Sequence, residues 1–304
     1  MLFSAEFKAK ARAALKQHWQ TALLIALIVN LPSLLVQGLA AYTNTDLMTR
    51  VENLILDAYT STSAANSFTD SLRALVSESG VITMTVLGIA AWLVTPALSV
   101  GMSHWTLERL RGQDLPVSTV FSRLRIFLKS IGLRLLIVLK VLLWMLPGIA
   151  LAACSAIPLL RAGQTYEAVA AAVNTSVMII YAGMAVMLVL AIMGYMYYAL
   201  AEFILADEPE ERVLSCARRS KRMMKGLRAR LFSLILSFIF WYILVIAAAS
   251  FISGITGPVL ALVAEMLGSL FISVYMLTSE GAFYESLRKA PVQAVPSEEP
   301  PDAE

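Results

Sequence analysis

Three consecutive pieces of the chain constrain everything else. An apolar segment ends at Ala206, a charged segment follows that is first acidic and then densely basic, and a second apolar segment begins at Leu231. Ionised side chains at bilayer depth are costly. The charged piece must therefore stay at a surface while the apolar pieces leave and re-enter hydrocarbon. The pattern reads as a membrane exit, a cationic hinge at 207–230 and a membrane re-entry. Basic residues flanking spans mark the cytoplasmic side, so the hinge orients the whole chain.

Composition supports a membrane solvent. The apolar fraction is 59% and the charged fraction 15%, against about 45–50% and about 25% in soluble domains. Several apolar runs exceed the roughly 18–20 residues that cross about 30 Å of hydrocarbon. They carry Leu, Ala, Ile and Met without strand alternation, which favours helices over a lipid-facing barrel. The expected fold class is all-α: a polytopic protein with six transmembrane helices, amphipathic interfacial helices and both termini cytoplasmic.

Residues 1–18 form a short basic amphipathic helix, with Phe3, Phe7, Ala11, Ala14 and Leu15 at helical spacing and Lys8, Lys10, Arg12 and Lys16 between them. The membrane domain is 19–287, with spans expected at about 19–41, 81–107, 135–159, 176–205, 231–251 and 259–278. A cleaved signal peptide is the rival reading of the first span, with Gly38-Leu39-Ala40 as its small-residue site. The long basic region before it and Pro32 within it fit an uncleaved, kinked span. The polar stretch 42–80 is expected to form one or two short helices on the outer face. Val117 to Leu128 reads as a second surface helix after a turn at Gly112 to Pro116. Pro147 and Pro158 predict a kinked or partly broken third span. The tail, 288–304, is acidic, rich in proline and expected to be disordered.

Twenty Lys and Arg residues fall on the side that holds the N-terminus, the 108–134 connection, the hinge and Arg288-Lys289; the other side holds Arg50, Arg73 and Arg161. Both termini are then cytoplasmic and the number of spans even. Within the hinge, Asp207 and Glu210 have capping-box spacing and Pro209 suits a first turn. Val213, Ala217, Ser220, Met224, Leu227 and Leu231 make a narrow apolar stripe. Arg212, Arg218, Arg219, Lys221, Arg222, Lys225 and Arg228 lie outside it, and Gly226 marks a bend. Such a helix is expected in the headgroup plane, where its basic face would hold anionic lipid or a protein partner. No aromatic interleaving or nucleic-acid fold accompanies the charge, so nucleic acid is not an expected ligand.

Two ionisable residues fall inside spans. Lys140 is close enough to the cytoplasmic side to snorkel. Glu265 lies deeper, among the small residues Gly257, Ala261, Ala264 and Gly268; it reads either as a protonated or hydrogen-bonded structural glutamate or as a functional residue that faces the bundle interior and pairs with Lys140. Glu202 and Glu280 are expected to meet basic hinge residues. Cys154 and Cys216 should sit at different depths, and no metal-ligand spacing exists. No catalytic motif appears, so neither an enzyme nor a cofactor is expected.

The stretch AEFILADEP, followed by ARRSKRMMKGLRARLF and LSFIFW, is similar to the signature block of the uncharacterised integral-membrane family called domain-of-unknown-function family 975. Leu146-Pro147-Gly148-Ile149 resembles its proline–glycine step, and Ala282-Phe283-Tyr284 its terminal aromatic motif. The resemblance covers most of 5–287. Phe240 stands where the family shows Gly before Trp241, Leu227-Arg228 replaces a polar-basic pair, and Gln164–Asn174 looks inserted. The family has no established activity. The resemblance implies architecture and a bacterial cytoplasmic-membrane location, not mechanism. Two functions fit: a non-enzymatic membrane protein that binds anionic lipid or a partner through its basic inner face, and a small-molecule or lipid translocator built on kinked helices and Glu265.

Overall fold

The computed structural model describes residues 2–36, 38–39, 79–161 and 165–289. The expected outer-face helices in 42–80 and the tail beyond residue 289 lie almost wholly outside these. Among the described residues the chain is helical, and six helices are long and apolar enough to cross a membrane. Helix α1 (Leu2–Leu15) precedes α2 (Trp19–Val36). Helix α3 (Ser79–Leu110) leads through α4 (Thr119–Ser122) and a tight turn of 3-10 helix (Arg123–Ile126) into α5 (Phe127–Ala153). Then come α6 (Ala156–Leu160), α7 (Tyr166–Met196), α8 (Ala201–Asp207) and α9 (Val213–Met223). The long helices α10 (Arg228–Thr256) and α11 (Pro258–Lys289) close the bundle.

Several helix ends differ from the hydropathy pattern, each for a local reason. Helix α7 starts well before residue 176, because Thr165 caps it: its backbone is extended and its hydroxyl accepts from the Ala168 amide. A break at Tyr197–Leu200 then separates α7 from α8. The third span breaks at Cys154–Ser155, not at Pro147, which lies inside α5. Pro158 falls in the first turn of α6, where a missing N–H costs no helix hydrogen bond. The surface helix expected over Val117–Leu128 is instead one helical turn plus the 3-10 segment. Its Val120 is fully buried, wedged against Gly101 of α3. Arg288 and Lys289, assigned to the tail, are the last residues of α11.

Two helix pairs form the bulk of the bundle, α5 with α7 and α10 with α11, and α3 packs against α5, α8 and α11 between them. In lipid no hydrophobic force drives helices together, so close backbone approach must hold them. Gly148 supplies that for α5 and α7: a Cβ there would come within 2.7 Å of the Met187 backbone nitrogen. Gly183 faces the Ala152 backbone in the same way. Outward-facing positions of α5, α7, α10 and α11 carry large apolar side chains such as Leu139, Leu188, Phe240 and Leu262. So broad an apolar exterior suits hydrocarbon solvent.

The stripe of α1 is buried by protein. Phe7, Ala11 and Leu15 are almost inaccessible and the helix rests on α10 and α11. Phe7 meets Phe283 edge-on at 5.5 Å. Filling the closest helix contact should therefore be costly. Gly148→Ala is expected to lower stability by about 1–3 kcal/mol, the range for overpacking. Gly88→Ala, whose Cβ would meet nothing within 4 Å, should not. Thermal unfolding in detergent, followed by size-exclusion recovery after heating, separates the two.

Candidate functional site

The basic segments converge at one end of the bundle. Arg109 Nε donates to the Ala14 carbonyl at 3.4 Å, tying α1 to the end of α3. Lys129 Nζ donates to the Pro209 carbonyl at 2.8 Å, tying α5 to the hinge. At the centre sits Arg111. Its guanidinium donates to Glu108 at 2.7 Å, to Asp207 at 2.9 Å and, through Nε, to Glu285 at 2.8 Å. Asp207 also accepts from the Tyr284 hydroxyl at 3.1 Å and pairs with Arg288 at 3.2 Å. Burial opposes the charge on Arg111, but the hydrogen bonds it donates to Glu285 and Asp207 outweigh that and raise its pKa above the ordinary guanidinium value.

This network overturns the expected capping box. Helix α9 begins at Val213, with Arg212 at its N-cap and no side-chain cap. Asp207 is bound instead to Arg111, Arg288 and Tyr284, three residues distant in sequence that no local pattern signals. The hinge acids serve Arg219: Glu208 at 2.7 Å and Glu211 at 3.3 Å. The Ser215 hydroxyl, bonded to Glu211, is the chief cause that lowers that carboxyl's pKa; burial opposes it and Arg219 assists. A carboxylate with a lowered folded pKa stabilises above its unfolded value, and the stabilisation is lost as pH falls through the lowered value. The hinge clasp is thus intact at neutral pH.

The apolar stripe of α9 also differs from expectation. Cys216, Ala217, Ser220 and Met224 are buried against α8 and α5, and Ser220 donates to the Tyr197 carbonyl at 3.1 Å. The stripe docks on protein, not lipid. Burial pushes the Cys216 thiol up to about 11, while Cys154 is exposed, and both are free. Gly226, at a φ of 78°, makes the turn into α10. Of the seven candidate basic residues, Arg219 is paired and Arg228 lies over the Tyr197 ring at 3.7 Å. Arg212, Arg218, Lys221, Arg222 and Lys225 are exposed and have no carboxylate partner among the described residues. Lys10 and Arg12 on α1, and Lys16 just after it, are also exposed.

Lys140 and Glu265 do not form the expected site. Both side chains are exposed, and no hydrogen bond or ion pair joins them. The small residues near Glu265 act on a different face: Gly268 approaches Val245 of α10. Glu202 meets Arg134 of α5 at 3.9 Å and Ser103 of α3 at 3.3 Å, not the hinge. Arg134 borders two cavities. One, about 340 Å³, lies between α2 and α3 and is lined by Val36, Ala91, Trp92, Thr95 and Pro96. The other, about 30 Å³, holds Glu202, Ser130, Tyr195 and Tyr198. Sequence reasoning missed this pairing because Arg134 counts equally well as a basic flank. Its only sequence signal was a charged residue at the edge of an apolar run.

A family model described as a protein of unknown function (DUF975) matches residues 1–291. The chain belongs to that family. No curated protein and no solved structure matches it.

The Arg111 cluster should dominate stability at this end. Removing one partner of a buried charge cluster costs about 3–5 kcal/mol, because the remaining charges stay buried and unpaired. Arg111→Gln is expected to lose that much, and Arg111→Lys to recover only part, since an ammonium cannot reproduce the guanidinium fork. Lys225→Gln should change stability by less than about 0.5 kcal/mol. Thermal unfolding of the purified variants checks the order.

Proposed function

We propose that this member of the DUF975 family is a multi-pass protein of the bacterial cytoplasmic membrane, with both termini inside. Its basic inner face holds anionic lipid headgroups, and it catalyses no reaction. The observation that carries the reading is helix α9. Its apolar stripe is buried by the bundle, while Arg212, Arg218, Lys221, Arg222 and Lys225 face outward without carboxylate partners among the described residues. Cations near an anionic surface contribute about 1 kcal/mol each, and the effect fades within a Debye length. Because the stripe is already covered, contact with lipid is by charge at headgroup level and not by insertion. An acidic membrane-protein partner is the other occupant the same charge would accept. A transport reading based on Glu265 draws no support from the cavities at Arg134, which Glu265 does not line.

Two measurements test this. The first follows the lipids retained by the full-length protein, purified from native membranes, using native mass spectrometry. Anionic phospholipid is expected to be enriched over its membrane abundance. The quadruple variant Arg218→Gln, Lys221→Gln, Arg222→Gln, Lys225→Gln should lose at least tenfold of that enrichment, as should raised salt. Unchanged enrichment in the variant would overturn the reading; replacement of lipid by a co-purifying acidic protein would favour the partner instead. The second is topology. In a Cys154→Ser background, Lys225→Cys is expected to resist a membrane-impermeant maleimide in intact cells and to react in inside-out vesicles. The reverse pattern would invert the orientation.

A further inference from the structure

The short segment between α3 and α5 leaves three large apolar side chains uncovered at the basic end of the bundle. Phe121 is 46% exposed, Leu124 40% and Leu128 80%. The other side of the segment is held by protein. Val120 is buried on Gly101 of α3, where a Cβ would collide with the Val120 carbonyl. Arg123 lies 3.1 Å from a ring nitrogen of His104 on α3. In the turn before the segment the Trp105 indole donates to the Leu115 carbonyl at 3.1 Å, and at its far end Lys129 is bonded to Pro209. Turning Phe121 and Leu124 inward would expose Val120 and break the Arg123 contact. Arg125 is exposed beside them.

What covers these side chains follows from the helix they lead into. On α5, Leu128, Leu135, Leu139, Leu142 and Leu146 are spaced by seven, four, three and four residues. That is the repeat of one helix face, and all five are exposed. The last four belong to the apolar exterior that suits hydrocarbon, and Leu128 begins the same stripe in the first turn. Phe121 and Leu124 carry it back through the 3-10 turn in steps of three and four. A stripe continuous from mid-helix to the basic end meets one solvent along its length. Arg125 places a cation where the stripe leaves that solvent, at the level of lipid phosphates. Helix α9 is different, because its apolar stripe is already docked on protein.

We propose that residues 119–128 insert into the inner leaflet, with Phe121, Leu124 and Leu128 among the upper acyl chains and the Arg125 guanidinium at the phosphates. The partner is the bilayer itself, irrespective of headgroup, because the contact is burial of apolar surface. It is a second mode of lipid contact, separate from the charge of α9. Salt confines exposed charges to a screening length of about 3 Å at 1 M but does not dissolve an apolar contact, so ionic strength separates the two modes. The choice of leaflet rests on the orientation proposed above; the insertion does not, and neither depends on lipid retention by α9.

The test uses the full-length protein with Cys154→Ser, and with the buried Cys216 retained, in nanodiscs of phosphatidylcholine and phosphatidylglycerol. Single cysteines carry a nitroxide, and its collisions with molecular oxygen, which concentrates in hydrocarbon, are compared with those of a water-soluble nickel chelate. Labels on Phe121→Cys, Leu124→Cys and Leu128→Cys are expected to favour oxygen about fivefold or more over a label on Gln113→Cys, an exposed position in the turn after α3. They should approach the ratio at Leu139→Cys, with Arg125→Cys between the two. The pattern should persist in molar salt and in phosphatidylcholine alone, where retention of anionic lipid by α9 is lost. It should also persist in the α9 quadruple variant, so failure of one lipid contact leaves the other measurable. Nickel access at 121 and 124 equal to that at 113 would overturn insertion. So would protection from both reagents, which would place protein, such as a second copy of the chain, over the segment. Loss of the oxygen preference in molar salt would make the contact electrostatic and overturn it as well.

Discussion

The Arg111 guanidinium is the contact on which the basic end of this protein depends. It lies one residue past α3 and reaches Asp207 at the end of α8 and Glu285 near the end of α11. Three helices far apart in sequence are thereby fixed relative to one another. Their transmembrane portions have little to specify register, since apolar side chains pack about as well against lipid as against each other. Register must come from close contacts such as Gly148 on Met187 and from polar ties at the ends. Placing those ties at the end of the bundle also keeps them affordable: Asp207 and Glu285 are nearly buried, but Arg288 and Lys289 beside them remain in contact with water.

Fixing the ends decides what the amphipathic segments can do. An amphipathic helix on a membrane ordinarily inserts its apolar face and presents its basic one. Here the apolar faces of α1 and α9 are both covered by the bundle. What is left outside is charge. Such a surface attracts anionic groups through a field that salt screens, and it has no apolar anchor to resist that screening. The same docking of α9 brings Arg228 over Tyr197 and Arg219 between two acids, so residues indistinguishable in the sequence divide into structural and free.

The membrane class, the six apolar runs and the family were legible in the sequence because each rests on composition or on a contiguous motif. The ends of helices were less so. Hydropathy does not register Thr165 as a cap, and it started that helix too late. Asp207, Pro209 and Glu210 had the spacing of a helix start, yet Asp207 faces partners from α3 and α11 and the helix begins at Val213. Glu265 attracted notice because an acid at that depth is costly, but depth along a helix says nothing about direction around it, and the residue faces outward. Arg134 and Glu202 were each visible as charged residues near span ends. Their meeting was not, because it joins α5 to α8 across almost seventy intervening residues.

The sequence by itself determined that the chain is an all-helical bundle with six membrane-length helices, and where its positive charge is concentrated. These follow from sums over local segments: apolar length against bilayer thickness, and the number of basic residues in each connection. Only the tertiary structure decided which charges are free, which acids are held, and that a cleft ends at Arg134. Those depend on which side of each helix meets its neighbour. That is fixed by backbone approach at a few glycines and by ion pairs between distant helix ends, neither of which has a local signature.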